Sequence, residues 1–161
     1  MTPDSPWLTD EQQRVWRRWL AVHDQLPAAL HRELQADSDL SLQDFDVLVK
    51  LTDAVEGRVR VSELATALHW ERSRLSHHVK RMQGRGLVRR EECADDGRGA
   101  FVVLTAAGRA AIERAAPGHV RTVRRLLFDA LSDQELEALA AITGKVLTRL
   151  ERDAAPDPAA R

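Results

Sequence analysis

A single cysteine, Cys93, stands in the whole chain, which excludes an intrachain disulfide framework and a paired-cysteine metal site. No apolar run approaches the ~20 residues needed to span a bilayer. The N-terminal MTPDSPWLTD lacks the basic start and apolar centre of a secretion signal, so a cytoplasmic protein is expected. Enzyme signatures are also missing: there is no glycine-rich phosphate loop, no HExxH and no nucleophile–base set. No catalytic residue and no cofactor is therefore assigned. The six histidines are His23, His31, His69, His77, His78 and His119, and only His77 and His78 are adjacent. Neighbours on a helix point ~100° apart, a poor chelate, so no metal ligands are assigned and zinc held between subunits is the one arrangement left open. There is no internal repeat.

What is present is a chain of 161 residues, 43% apolar and 30% charged, enough for one domain with a core or for one lobe with long helical extensions. Its net charge is only −1, but the charge is segregated. Between His69 and Arg90 seven basic residues face Glu71 alone, giving +6 and leaving −7 for the remainder. No acidic residue interrupts the run from Arg72 to Arg90. For a nucleic-acid partner, distribution matters more than the sum.

That run reads as a basic helix over about 72–84. Leu75, Val79 and Met82 fall on one side as a narrow apolar keel. Ser73, Arg74, His77, Lys80 and Arg81 fall opposite, with Ser76 and His78 on the flanks. Arginine can fork onto guanine, serine can reach a base edge or phosphate, and lysine can neutralise the backbone. The competing reading is a solvated helix face, the usual meaning of a charge run. The preceding residues favour the first. Ser62 is expected to cap a short helix with Leu64, Ala65 and Leu68 inward and Glu63 in its first turn, and the His69-Trp70 interruption completes helix-turn-helix spacing. After the basic helix Gly84 and Gly86 supply a stop. Leu87–Glu92 and Ala100–Leu104 read as two strands, joined through Asp96-Gly97 turn chemistry that sets Arg98 at the tip. An arginine there suits the narrow minor groove.

Around this lobe the chain is helical. Thr9 and Gln12 form a capping box opening a helix with Val15, Trp19, Val22, Leu26, Leu30 and Leu34 at steps of three and four; Trp16 lies off that stripe. Pro27 predicts a kink or break near His23 to Leu26. Ser41 and Asp44 cap another helix, with Phe45, Leu48, Val49 and Thr52 as its buried side, and Arg58–Arg60 reads as a short strand joining the wing. Thr105 caps a long helix kinked at Pro117-Gly118, and Ser132 with Glu135 opens the last one, which carries Leu136, Leu139, Val146 and Leu150. The expected organisation is a flexible start (1–8), an N-terminal dimerisation helix (9–36), the DNA-binding lobe (37–104), C-terminal dimerisation helices (105–152) and a flexible tail (153–161). The fold class is mainly α with a small antiparallel β wing. The terminal helices carry more apolar surface than a small lobe covers, and each apolar side chain left in water forgoes ~1.5–3 kcal/mol. A homodimer is expected, with Trp7, Leu8, Val15, Leu136, Leu139, Val146 and Leu150 as interface candidates; a monomeric bundle is the alternative.

Arg85-Gly86-Leu87-Val88, then Asp96-Gly97-Arg98, then Leu104-Thr105-Ala106-Ala107-Gly108 follow one another in the order of the MarR family of bacterial transcriptional regulators. The chain resembles that family from about Thr9 to Arg152. The resemblance implies a winged helix-turn-helix repressor, dimeric through both chain ends, on a palindromic operator. The DNA-contacting candidates are Ser62, Arg72, Ser73, Arg74, Ser76, His77, Lys80, Arg81, Asp96 and Arg98, with Asp96 either orienting Arg98 or pairing with a neighbouring arginine. The resemblance also implies release by a small aromatic or anionic ligand, for which Trp16, Trp19, His23 and Phe45 are the local candidates; the usual meaning of such residues is a core position, or for the histidine a plain hydrogen-bond partner. Family members that sense peroxides carry their cysteine near the first helix, so Cys93 reads as a strand-end residue before a redox switch. The alternative function is a winged-helix protein-interaction module without sequence-specific DNA binding.

Overall fold

The computed structural model describes residues 6–92 and 99–154. Cys93, Asp96, Gly97 and Arg98, and hence the wing tip, lie outside the described residues. The chain divides into two compact units, residues 1–122 and 123–161. The first contains helices α1 (Asp10–Asp37), α2 (Leu42–Asp53), α3 (Val61–Ala67), α4 (Arg72–Gly84) and nearly all of α5 (Ala106–Val123), with strands β1 (Arg58–Arg60), β2 (Val88–Glu92) and β3 (Ala100–Leu104). The second contains a π-helical turn, Arg124–Phe128, and α6 (Asp133–Ala154).

Helix starts follow local chemistry. Thr9 and Gln12 cap α1 reciprocally, and Ser41 and Asp44 do the same for α2. The Ser132 amide donates to Glu135 Oε2 at 2.9 Å at the mouth of α6. The short α3 differs from expectation. Arg60 occupies its cap position and supplies no capping bond, and Ser62 lies inside the first turn. α1 runs unbroken through Pro27. The carbonyl of His23, deprived of its donor by the proline ring, lies on an exposed stretch where water can satisfy it. α5 likewise passes through Pro117, and the irregularity falls later, in the π turn.

The sheet has the order β1-β3-β2, antiparallel throughout. Val88 pairs with Leu104 and Glu92 with Ala100 on one side of β3, while Arg58 pairs with Val103 and Arg60 with Phe101 on the other. Residues opposite one another share a face, so Arg58, Arg60, Arg89 and Glu91 surround Phe101. The Arg58 guanidinium lies 3.8 Å from the centre of that ring, and Arg58 pairs with Glu91 at 3.7 Å. The other face, with Val88 and Val102, joins Leu48, Leu64, Leu75, Val79, Met82 and Ile112 in one core.

α2 sits centrally and packs on α1, α3 and β3. Its buried apolar residues are therefore Phe45, Val47, Leu48 and Leu51, a broader surface than the expected stripe, with Val49 half-buried and Thr52 exposed. α1 buries only Leu34, at its C-terminal end, and Val15, Trp16, Trp19 and Val22 are exposed. α6 buries no residue, and Leu136, Ile142, Val146, Leu147 and Leu150 are exposed. No helix among the described residues is long and apolar enough to cross a membrane.

Two of the sequence phrases meet in space. The Thr105 hydroxyl donates to the Gly86 carbonyl at 2.7 Å and accepts the Gly108 amide at 2.9 Å, starting α5 against the end of α4. A side chain at Gly108 would place its Cβ 2.0 Å from the Leu87 carbonyl oxygen, whereas one at Gly84 meets nothing within 4 Å. Gly108→Ala should therefore destabilise the lobe by ~1–3 kcal/mol through forced overpacking. Gly84→Ala should be neutral or stabilising by up to about 1 kcal/mol through helix propensity. Urea unfolding of both variants checks this, and equal midpoints would contradict the close approach.

Candidate nucleic-acid interface

The turn between α3 and α4 closes on itself. The amides of His69 and Trp70 donate back to the carbonyls of Thr66 and Ala65 at 3.1 and 2.9 Å, a Schellman closure in which His69 takes the left-handed position at φ 53°. α4 ends the same way, with Gly86 at φ 72° and the amides of Gly86 and Leu87 returning to Gln83 and Met82. These two closures set α4 at both ends as a separate rod.

Leu75, Val79 and Met82 are buried, so the keel anticipated for this helix is real. Arg72, Ser73, Arg74, His77, Lys80 and Arg81 are exposed, and Ser76 and Ser62 are half-buried. Ser62, Arg72 and Ser76 share a cleft of about 330 Å³ with Arg60 from β1 and Arg90 from β2. Arg72 and Arg90 with Ser62 and Ser76 bring to this cleft residue types that suit a phosphate, while the Arg60 guanidinium lies 5.1 Å from the centre of the Phe101 ring. Sequence reading missed Arg60 and Arg90 as members of the site. Arg90 belonged to the counted basic run, but nothing local says that its strand turns it toward α4.

His78 departs from its expected flank position. It is buried, with Nε2 at 3.0 Å from Asp44 Oδ1. Asp44 Oδ2 takes Arg85 Nη1 at 2.7 Å and the Ser41 amide at 2.9 Å, and Arg85 also donates to the Asp39 carbonyl. On the other side of the His78 ring, Arg81 Nη2 lies 2.9 Å from Nδ1. Trp70 meets the His78 ring edge-on at 5.4 Å between centres, and the Arg74 guanidinium sits 4.6 Å over Trp70. Burial pushes the Asp44 carboxyl up, but the bonds from His78, the Ser41 amide and Arg85 outweigh it and hold the group well below the ordinary carboxylate range.

The remaining candidates are spread out. Phe45 lies in the core, 4.4 Å from the His119 ring, while Trp16, Trp19 and His23 are exposed along α1. Beside them burial raises the Asp46 carboxyl, opposed by His119 and Lys50. Burial lowers His119, opposed by Asp46. Trp7, Leu8, Val15, Leu136, Val146 and Leu150 are exposed and Leu139 half-buried. Among the described residues no group of three or more histidines, cysteines and carboxylates is placed to hold a metal ion.

A basic helix on a buried keel, preceded by a tight turn and followed by a three-stranded sheet, is the winged helix-turn-helix arrangement. Residues 38–99 match the sequence model of the MarR family. The chain is 39% identical to AbsC, a MarR family transcriptional regulator from Streptomyces coelicolor, and superposes on it with a TM-score of 0.85 over 91% of this chain and 99% of that one. Sco3205, a MarR family transcriptional regulator from the same organism solved in complex with DNA, is 40% identical with a TM-score of 0.85, covering 91% of each chain. YetL of Bacillus subtilis (strain 168), an HTH-type transcriptional repressor, is 27% identical over 115 residues, 71% of this chain and 68% of that protein. The chain belongs to the MarR family of transcriptional regulators, and as such is a regulator rather than an enzyme.

The depressed Asp44 carboxyl links stability to pH with a definite sign. Its contribution is complete above the unfolded carboxylate range of about 4 and is lost as pH falls from there toward the lower folded value. Asp44→Asn should cost about 3 kcal/mol near neutral pH, the usual consequence of removing one partner of a buried pair, with the gap to wild type narrowing below pH ~4. Denaturation midpoints across pH measure it, and a gap constant into acid would reject the assignment.

Proposed function

We propose that the chain binds double-stranded DNA sequence-specifically, as a homodimer on a palindromic operator, and represses transcription. The observation that carries the reading is α4, acid-free on its exposed side and seated on Leu75, Val79 and Met82. A rod of that width enters the major groove, where Arg72, Ser73, Arg74, Ser76 and His77 reach base edges and Lys80 and Arg81 reach phosphates. Ser62 takes a backbone phosphate through its hydroxyl or amide, and Arg60 and Arg90 belong to the same phosphate-lined edge. Arg98, oriented by Asp96, enters the minor groove. The Streptomyces coelicolor relative solved with DNA supports the partner, and the Bacillus subtilis repressor supports the sign of regulation.

The exposed apolar stripes of α1 and α6 support a second copy as their cover. Two-fold pairing places the two readers about one DNA turn apart, ~34 Å. Ligand control belongs to the same reading: a small aromatic or anionic molecule near Trp16, Trp19, His23 and Phe45 releases the DNA by favouring a dimer whose readers no longer match the groove spacing. A cytoplasmic location fits this work.

Sedimentation should give a dimer, and a labelled duplex from the protein's own promoter should bind with affinity that falls steeply with salt. Lys80→Ala should lower the salt slope by about one ion. Arg98→Ala should weaken operator binding by ~1–3 kcal/mol. A monomer, or a protein retained by a protein partner but indifferent to DNA at low salt, would contradict the proposal.

A further inference from the structure

A buried histidine on the inner side of a reading helix needs a reason. An apolar ring would pack on Trp70 without the cost of desolvating two nitrogens, yet each nitrogen of His78 lies against a charged group, one on either side of the ring. Nε2 faces inward to Asp44 at 3.0 Å and Nδ1 faces outward to Arg81 at 2.9 Å. A guanidinium can only donate, so Nδ1 accepts and the ring proton sits on Nε2, which faces the Asp44 carboxylate as a close electrostatic contact without the alignment of a hydrogen bond. Asp44 is itself immobilised by the Ser41 amide and by Arg85. The chain of contacts therefore runs from the capped end of α2, through one imidazole, to an exposed cation on the outer face of α4.

We propose that His78 is a positioning residue for DNA binding, which holds the Arg81 guanidinium, through the Asp44–His78 pair, in the direction it needs to meet a backbone phosphate. This rests on the reading of α4 as the DNA reader. A free arginine loses its rotamer freedom when it docks on a phosphate. One already held on a ring nitrogen surrenders less, and its affinity gain is one of preorganisation. The remaining guanidinium donors stay available, because the fork carries five N–H groups and His78 takes one. The ring also backs Trp70, the platform on which Arg74 lies, so the same side chain steadies a second cation.

Two measurements test it. In the free protein, long-range nitrogen–proton spectra of the His78 ring should show the proton on Nε2 and a bare Nδ1; the opposite tautomer would overturn the proposal without reference to DNA. Binding of the labelled promoter duplex is then measured against salt for wild type, His78→Phe, His78→Gln, Arg81→Ala and the His78→Phe/Arg81→Ala double variant. His78→Phe keeps the ring against Trp70 but loses both nitrogens. It should bind roughly tenfold more weakly, the equivalent of one charge-assisted hydrogen bond, with a salt slope shallower by about 0.9. His78→Gln can donate through its amide and accept through its carbonyl, and should restore both affinity and slope. Added to Arg81→Ala, His78→Phe should cost little more. A merely structural role would lower the melting temperature and leave the salt slope alone. An unchanged slope in folded His78→Phe, or an undiminished penalty in the Arg81→Ala background, overturns the proposal. A wild-type protein that bound no duplex would overturn the interface and this role with it, even if the tautomer proved to be the expected one.

Discussion

Asp44 joins the part of the lobe that is packed to the part that is offered outward. Its carboxylate closes the first turn of α2 through Ser41, and the same two oxygens hold His78 in the middle of α4 and Arg85 at its end. A charge with only 4% of its side chain accessible would be costly if unpaired, so the Ser41 amide, Arg85 and the His78 ring beside it together stabilise the lobe. That arrangement ties the angle between α2 and α4 to the stability of the lobe. The apolar keel of Leu75, Val79 and Met82 supplies most of the adhesion, but hydrophobic contact is non-directional and tolerates small rotations. The charge contact at His78 and the ionic hydrogen bond from Arg85, just past the end of α4, do not.

The phrases by which such chains are recognised have a physical meaning here. Gly86 provides the left-handed residue that ends α4, and its carbonyl receives the Thr105 hydroxyl that begins α5. Gly108 is bare because the Leu87 carbonyl occupies the space a Cβ would take. One phrase ends the reading helix and the other anchors α5 to that end. The wing strands are held between them, with β3 at the centre of the sheet. The cationic face of the sheet around Phe101 and the cleft shared by Arg60, Arg72 and Arg90 then extend the basic surface beyond α4 itself.

The apolar accounts of the two units differ. Residues up to Ala115 close one core around α2, whereas α6 exposes Leu136, Ile142, Val146, Leu147 and Leu150, and α1 exposes its tryptophans. Leaving this much aliphatic and aromatic surface in water is unfavourable, and it lies on elements whose caps are well formed. That exposed surface is why a second copy belongs to the proposed function.

By itself the sequence determined the elements that depend on near neighbours. The capping boxes at Thr9, Ser41 and Ser132, the limits of α4 at Arg72 and Gly84, the stop at Gly86 and the strands of the wing all follow from residues within four or five positions of one another, because helix ends and turns satisfy their own backbone groups locally. Periodicity likewise showed that Leu75, Val79 and Met82 would face inward. It did not show what they would face. The breadth of the buried surface on α2, the continuity of α1 through Pro27, the meeting of Arg60 and Arg90 with Arg72 at one cleft, and the burial of His78 were decided only by tertiary structure. Asp44 and Arg85 are 41 residues apart in the chain, and no local pattern distinguishes a carboxylate that caps a helix from one that also grips another. Pairing of that kind exists only once packing has brought the two segments together.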